Sequence, residues 1–208
     1  MKILIASHNE HKIKEFRDIF KDTKIELISL RDLNDHDEVD EYEITFRKNA
    51  ILKAKYFAKK HRMPAISDDS GLSVDHLEGR PGVHSKRYAN GNDKDNNIKL
   101  LRELEGVVNR GAYFTSVVAL YYPDCHYKTY EGIVYGTIGF KLKDIDAFGY
   151  DPLFFPKGYD LSFADIGSKV KNQISHRAIA LKKVKEDLDE IVNYKWHPWR
   201  WRKSKTSC

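Results

Sequence analysis

Two adjacent carboxylates, Asp68 and Asp69, follow the short apolar stretch Pro64–Ile66 within the run Ser-Asp-Asp-Ser-Gly. Neighbouring like charges repel and aspartate is a poor strand former, so this is an unusual way for a strand to end. The run is either a polar turn or a site for something positive. A carboxylate pair can bind a divalent cation, and a carboxylate beside such an ion can orient or deprotonate a water molecule.

Glu41 offers a further carboxylate. It stands in an acidic segment, residues 31–43, and by composition it cannot be distinguished from the other carboxylates there. Composition alone predicts that this segment is a solvated acidic loop. Glu41 becomes a candidate only as a partner to Asp68 and Asp69. Mg²⁺ sites commonly use one or two carboxylates and leave the remaining positions to substrate phosphates and water.

The segment Ser7–Lys12 joins a predicted strand to a predicted helix, where free backbone N–H groups and the helix dipole favour an anion. Ser7 and Asn9 can cap this helix. Lys12 lies in the first turn, where a cation opposes the helix dipole and therefore needs a negative partner. Ordinary capping with a solvent-exposed lysine is the alternative.

Two later segments add candidates for binding a ring and a carbonyl group. Phe148 and Tyr150 flank Gly149, and an aromatic side chain beside glycine offers a flat surface to a ring ligand; a loop with core aromatics is the alternative. Further along, a helix is predicted to start at Ser175, and three cationic or hydrogen-bonding side chains lie near this start: Lys171, His176 and Arg177. Such groups suit an anionic or carbonyl-bearing ligand. Together with Lys12 and the carboxylates, these groups indicate a nucleotide phosphate chain with Mg²⁺ and a base pocket.

The composition restricts the class of protein. The chain has 208 residues, 41% hydrophobic and 32% charged, which suits one sizeable core and not a disordered chain. Its apolar runs are too short for a membrane-spanning helix, and its N-terminus is typical of a first strand and not of a signal peptide. Two cysteines without a CxxC spacing favour a reducing cytoplasm.

The net charge of +5 comes partly from the C-terminal segment, which mixes basic residues with Trp196, Trp199 and Trp201. Such a segment could contact nucleic acid or an anionic membrane, but a frayed, solvated terminus is the favoured interpretation. The remaining charge suits a small anionic substrate. We therefore expect one domain over residues 1–192 and a basic, Trp-rich tail over 193–208, with no stable nucleic acid or membrane partner.

Hydrophobic periodicity predicts alternating strands and helices, hence an α/β fold with a mixed sheet. The expected strands are Lys2–Ala6, Ile25–Ile28, Ala65–Ser67, Leu72–Val74, Tyr113–Tyr121 and Lys128–Ile138, the last two antiparallel. The expected helices are Asn9–Phe20, Thr45–His61, Asp93–Leu104 and Ser175–Ile191.

Six motifs, in order and spread over nearly the whole chain, make the sequence resemble the inosine triphosphate pyrophosphatase family. They are Ser7-x-Asn9-x-x-Lys12, ITFRKNAILKA (44–54), SDDSGLSVD (67–75), RPGVHSKRYA (80–89), FGYDPLF (148–154) and KNQISHRAIAL (171–181). The resemblance implies an elongated α/β fold with a long mixed sheet flanked by helices, two lobes with a central substrate cleft, and a homodimer. It also implies Mg²⁺-dependent cleavage of ITP, dITP and XTP to the nucleoside monophosphate and pyrophosphate.

The resemblance implies roles for individual residues as well. Glu41 and Asp69 would bind Mg²⁺, with Asp69 also the general base, Asp68 an auxiliary and Lys12 a catalytic cation. The residues that would bind the substrate are Ser7, His8, Asn9, Glu10, His11, Lys12, Ser70, Phe148, Gly149, Tyr150, Asp151, Lys171, His176 and Arg177.

Two other functions stay open at this point. One is a house-cleaning pyrophosphatase for other modified or standard nucleoside triphosphates. The other is a non-catalytic nucleotide-binding or nucleic-acid-binding protein that uses the basic tail. The second must explain why Asp68 and Asp69 place negative charge in a binding site, since carboxylates repel nucleic acid unless a metal intervenes.

Overall fold

A computed structural model describes residues 1–143 and 147–195, so most of the expected tail, from residue 196 onward, lies outside the described residues. The strands are β1 Lys2–Ile5, β2 Glu26–Ser29, β3 Ala65–Val74, β4 Gly111–Tyr121, β5 Tyr127–Ile138 and β6 Phe154–Pro156. The helices are α1 Glu10–Phe20, α2 Phe46–His61, α3 Asp93–Glu103, α4 Ser168–Ile174, α5 His176–Glu186 and α6 Leu188–Asn193. In this described part of the chain, no helix is long and apolar enough to cross a membrane.

The strands form one mixed sheet in the order β2-β1-β3-β4-β5-β6. β1 pairs in parallel with both β2 and β3, with Lys2 opposite Glu26 and Leu4 opposite Ala65. Parallel neighbours need a crossover connection, which α1 and α2 provide. β5 and β6 are antiparallel, with Thr137 opposite Phe155. The predicted mixed α/β sheet with flanking helices is confirmed, and the cleft between two lobes stays a prediction.

The described chain divides into two compact units. The first contains residues 1–69, 117–131 and 180–195, and the second contains 70–116 and 132–179. In the first unit, α1 buries Ile13, Phe16 and Phe20, spaced for one helix face, in a core shared with β1 and β4. In the second unit, Leu72 of β3 and Leu100 of α3 share a separate core.

The sequence predicts a strand end or a turn at Asp68 and Asp69. In the structure, both residues lie in the middle of a single strand. Both aspartates are buried within β3, at 2% and 5% exposure, and the strand continues without interruption to Val74. The prediction of two separate strands was wrong because it counted only the strand propensity of aspartate. Lysine ammonium groups compensate both carboxylates, and this compensation lets the strand continue.

Three further elements differ from the expected ones. β6 and α4 were not predicted, and the expected single helix Ser175–Ile191 is divided into α5 and α6. The division falls at Asp187, whose N–H bonds to the carbonyl of Val184 and whose carboxylate accepts from Lys128 and Tyr130. These contacts tie the side chain to a neighbouring strand and end α5.

Composition predicts that the whole acidic segment is solvated, and this prediction is wrong at Asp35, which is buried at 5% exposure. Its carboxylate accepts from Lys60 Nζ at 2.7 Å and lies 2.5 Å from His61 Nε2, in the last turn of α2. Burial opposes ionisation, but the hydrogen bonds from Lys60 and the N–H of Asp37 outweigh it and lower the pKa of Asp35. Asp35 therefore fastens the acidic segment, which carries Glu41, to α2.

Replacing Asp35 by Asn should lower the free energy of unfolding at pH 7 by about 1–3 kcal/mol, because charged hydrogen bonds to a buried carboxylate are lost. A carboxyl with a lowered pKa contributes fully above its unfolded value of 3.8, and the contribution disappears as pH falls. The difference in the free energy of unfolding between wild type and Asp35→Asn should therefore become smaller below pH 4. Urea denaturation across pH measures it, with exposed Asp40→Asn as the control. An Asp35→Asn protein as stable as the control at pH 7 would contradict the assignment.

Candidate active site

The start of α1 holds a lysine that has the negative partner its position requires. Asn9 caps the helix by accepting from the N–H of Lys12 at 3.2 Å, and the Ser7 hydroxyl accepts from the N–H of Asn9. Lys12 Nζ lies 3.1 Å from the fully buried carboxylate of Asp68. Asn9 therefore caps the start of α1, and the Lys12 ammonium group lies beside β3.

The other predicted residues of this segment are exposed. The His8 ring hydrogen-bonds the backbone carbonyl of Asp37 at 2.9 Å, and Glu10 accepts from Arg31. His11 is exposed as well. His8 thus links the turn after β1 to the acidic segment that carries Glu41.

Lys53, which the sequence analysis did not select, connects three carboxylate-bearing residues. Its Nζ donates to Glu41 Oε1 at 2.5 Å and to the backbone carbonyl of Asp68 at 2.7 Å, and lies 3.9 Å from Asp69 Oδ1. Its side chain is only 12% exposed. We call Lys12, Glu41, Lys53, Asp68 and Asp69 the charged cluster.

A sequence signal for Lys53 exists but is weak. Lys53 stands one turn after Asn49 on α2, beside the buried positions Ala50 and Ala54. Asn49 is itself fully buried, and its side-chain amide bonds both the N–H and the carbonyl of Glu43. Two polar residues spaced by four on the edge of an apolar face indicate a polar contact, but they do not identify Glu41 as the partner.

Burial and charge act in opposite directions on the charged cluster. Burial raises the pKa of Asp69, and the negative charge of Glu41 adds to this effect, so that the pKa stays raised despite the Lys53 ammonium. Burial would also raise the pKa of Glu41, but Lys53 outweighs it and the pKa is lowered. Burial disfavours the charged form of Lys53, yet Asp69, Glu41 and Asp68 raise its pKa. The cluster therefore holds a charged lysine, an ionised Glu41 and a more basic Asp69.

The donor set of the charged cluster suits a hard divalent cation. Glu41 and Asp69 are both near one ammonium group, and both offer carboxylate oxygens. Burial first and the negative charge of Glu41 second raise the pKa of Asp69, and a divalent cation beside it would favour its ionised form. Over residues 1–143 and 147–195, no group of three or more His, Cys, Asp or Glu side chains is arranged to hold a metal. Two carboxylates with substrate phosphates and water form a common Mg²⁺ arrangement.

A second set of predicted residues lies in the second unit. Arg177, at 2% exposure, donates to the Ser70 hydroxyl at 3.0 Å. His176 stacks on Phe114 with ring centroids 4.7 Å apart and planes 9° apart. Both residues start α5, where the Ser175 hydroxyl accepts from the N–H of Ala178, so the predicted cap at Ser175 is confirmed. The structure thus brings Ser70, His176 and Arg177 together at one buried helix start.

The segment Phe148–Asp151 is held mainly through polar contacts. Lys171 and Asp151 form an ion pair between α4 and this segment. The Tyr150 ring lies in the core at 4% exposure, and its hydroxyl donates to the carbonyl of Ser85 at 2.9 Å. Gly149 adopts a positive φ of 58°, a conformation that glycine accepts without strain. Phe148 is half-buried, so its ring is more open to a ligand than that of Tyr150.

Replacing Lys53 by Met keeps most of the side-chain volume and removes the ammonium group from the charged cluster. The pKa of Asp69 should rise further, because the opposite charge of Lys53 a few ångströms away favours its ionised form. Carboxyl ¹³C NMR titration of the protein in the presence of a chelator measures the change. The control is Lys48→Met, on the exposed side of the same helix, 3.5 Å from Glu43. An Asp69 pKa that is equal in both variants would refute the electrostatic role of Lys53.

Comparisons with known proteins identify the family of this chain. A family model described as Ham1 family matches residues 3–187. A relative from Clostridium tetani named dITP/XTP pyrophosphatase is 42% identical over 93% of this chain and 98% of its own length. One of the same name from Listeria monocytogenes serotype 4b is 45% identical over 92% and 96%. The solved Ham1 protein structure from Staphylococcus aureus is 38% identical, with a TM-score of 0.83 over 92% of this chain and all of that one.

A HAM1 protein structure from Coxiella burnetii has a TM-score of 0.84 at 34% identity, over 91% of this chain and 99% of that one. The relatives match this chain over nearly their full length, so the similarity concerns the whole domain and not one motif. It also confirms the family that the six motifs indicate. The chain belongs to the Ham1 family.

Proposed function

We propose that this protein hydrolyses the non-standard purine nucleoside triphosphates ITP, dITP and XTP to the nucleoside monophosphate and pyrophosphate. The observation that carries the proposal is the charged cluster, in which a buried, more basic Asp69 lies beside Glu41 and two lysines. The names of the Clostridium and Listeria relatives support the same reaction. Such hydrolysis removes these nucleotides from the pool available for nucleic acid synthesis.

We assign the triphosphate chain to the start of α1. Ser7, Asn9 and Lys12 would contact the phosphates, with His8, Glu10 and His11 on the same turn. A polyanion needs charge neutralisation and positioning more than covalent chemistry. Lys12 supports this role because its ammonium group is already held near β3 by Asp68. Asp68 is then the residue that orients the lysine.

Nucleoside triphosphate pyrophosphatases generally use a divalent metal, and we propose Mg²⁺ held by Glu41 and Asp69. When bound, the ion would neutralise phosphate charge and lower the pKa of water. Lys53 would compensate the same carboxylates before the ion and substrate arrive. The oxygen donors and the two-carboxylate set support Mg²⁺ over softer metals.

We assign Asp69 as the general base. Its carboxylate would accept a proton from the attacking water, whose oxygen forms the new bond to the α-phosphorus. The bond to the oxygen that bridges the α- and β-phosphates breaks, and pyrophosphate leaves with the electron pair. The proton remains on the Asp69 carboxyl until solvent removes it.

We assign the base to residues of the second unit: Ser70, Phe148, Gly149, Tyr150, Asp151, Lys171, His176 and Arg177. Arg177 has only donors, and the His176 ring can donate as well. A donor satisfies the 6-oxo group of hypoxanthine or xanthine but not the 6-amino group of adenine. Adenine would leave buried polar groups unpaired, which is the more selective form of rejection. The burial of His176 and Arg177 supports this assignment.

We also propose that the enzyme works as a homodimer, as the family resemblance implies, and without a stable nucleic acid or membrane partner. The two cysteines without a CxxC spacing favour the cytoplasm as its setting. The basic residues of segment 193–208 are then not needed for the reaction. This proposal treats residues 1–192 as the catalytic domain.

Purified protein with Mg²⁺ should convert ITP and XTP far faster than ATP or GTP. The difference from ATP should be about 100-fold or more in kcat/KM, because unpaired buried donors reject the 6-amino group of adenine. Guanine shares the 6-oxo group, so we expect its rejection to come from crowding or unfavourable contacts at its 2-amino group. Chromatographic quantification of each nucleoside monophosphate over time measures the four rates under identical conditions. A heat-inactivated sample provides the background. Equal kcat/KM values for all four nucleotides would contradict the proposed base selectivity.

Replacing Asp69 by Asn should lower kcat for ITP by about 10²–10⁴-fold, because a general base is lost while the residue volume is kept. Binding of IMP, measured by calorimetry without metal, should survive, since the base contacts lie elsewhere. Asp75→Asn, an exposed residue after the same strand, is the matched control. An Asp69→Asn protein with a kcat within about twofold of the control would remove Asp69 as the base.

A further inference from the structure

Gly149 is held on both of its backbone polar groups by one helix. The Asp93 carboxylate accepts from the Gly149 N–H at 2.7 Å, and the Asn97 amide donates to the Gly149 carbonyl at 2.8 Å. The same Asn97 nitrogen donates to the backbone carbonyl of Asp93 at 2.8 Å. Asp93 and Asn97 are four residues apart on α3, so they lie on one face of its first two turns.

These contacts control a residue with unusual backbone geometry. Gly149 has a φ of 58°, and the N–H of Asp151 bonds back to the carbonyl of Phe148 to form a tight turn. Because Asp93 and Asn97 bond the middle of this turn, the direction of Phe148 and Asp151 follows the start of α3. The Tyr150 hydroxyl, bonded to the Ser85 carbonyl, fixes the turn at a second point.

Asn97 is a poor choice if its purpose is only to stabilise α3. It is buried at 2% exposure beside Leu100, where an apolar side chain would avoid the desolvation of an amide. Among the described residues, its Oδ1 has no hydrogen-bond partner, so the amide makes its contacts through Nδ2 alone. Burial of this amide costs desolvation free energy, and the hydrogen bond from Asn97 to the carbonyl of Gly149 is the contact beyond α3 that offsets it.

We propose that Asp93 and Asn97 are positioning residues for recognition of the purine base. The inference rests on the proposed function, which assigns Phe148–Asp151 to the base. By fixing both sides of Gly149, the two side chains hold this turn in one conformation before the nucleotide binds. Their contribution is to base affinity and selectivity, and the bond-breaking step belongs to other residues.

The matched control is Asp95, which belongs to the same helix start without bonding Gly149. Its N–H donates to the Asn92 side chain and its carboxylate accepts from the N–H of Asn92, which together form a capping box. Replacing Asp95 by Ala weakens α3 to the extent expected for a lost cap. A role limited to helix stability would therefore give Asp93→Ala, Asn97→Ala and Asp95→Ala the same kinetic behaviour.

The experiment measures kcat and KM for ITP and ATP in each variant, with circular dichroism to establish folding. Asp93→Ala and Asn97→Ala should each raise KM for ITP about tenfold, the effect of one lost hydrogen bond to a charged or buried group. Their kcat should stay within about twofold of wild type and their ITP-to-ATP preference should narrow. Asp93→Asn keeps an acceptor oxygen and should restore most of the affinity. The variant with both Asp93→Ala and Asn97→Ala should raise KM by less than the two single effects combined, since both residues hold Gly149.

Identical KM values and ITP-to-ATP preference in all three alanine variants would overturn the inference. If Asn97→Ala does not fold, the inference is tested at Asp93, which is half-buried at the helix start, by comparing KM in Asp93→Ala and Asp93→Asn. The wild-type protein is measured first. If it releases no pyrophosphate from ITP, the proposed function fails and the inference falls with it. If it is active and Asp93→Ala behaves as Asp95→Ala, only the inference fails.

Discussion

The ion pair between Lys53 and Glu41 is the interaction on which the candidate active site depends. Lys53 comes from α2, Glu41 from the acidic segment, and the backbone and carboxylate that it also meets come from β3. Lys12 compensates Asp68, and without the Lys53 ammonium group Asp69 would place a second buried like charge beside it in the middle of a strand, which is unfavourable. Lys53 thus explains both why β3 continues through the aspartates and why Glu41 lies beside them.

Several surrounding contacts serve to hold this arrangement. Asp35 fastens the acidic segment to the last turn of α2, and Asn49 bonds the backbone of Glu43 from the same helix. Lys12 approaches Asp68 from α1. A site for a polyanion and a divalent cation needs carboxylates that stay ionised and fixed before the substrate arrives. The packing of α1 and α2 supplies this rigidity, while the selectivity assigned to His176 and Arg177 depends on buried hydrogen-bond donors.

The sequence predicts much of this fold, because hydrophobic periodicity marks α1, α2, α3, β4 and β5 within a few residues. The ordered motifs also indicate the family. What could not be predicted depends on contacts between distant residues. The continuity of β3 and the burial of Asp35 both require a lysine from α2, and local propensity carries no information about that partner. Lys53 is one of several lysines on α2, so its type alone does not mark it, and the break at Asp187 depends on Lys128, 59 residues away.

The most direct test of the central claim identifies the bond that is cleaved. ³¹P NMR of ITP with the protein and Mg²⁺ in ¹⁸O-labelled water shows every phosphorus-containing product in one spectrum. The account predicts equal amounts of IMP and pyrophosphate and no IDP at any time. The solvent oxygen should appear in the phosphate of IMP, because pyrophosphate leaves with the bridging oxygen. Formation of IDP with orthophosphate would contradict it, because the charged cluster would then direct water to a different bond.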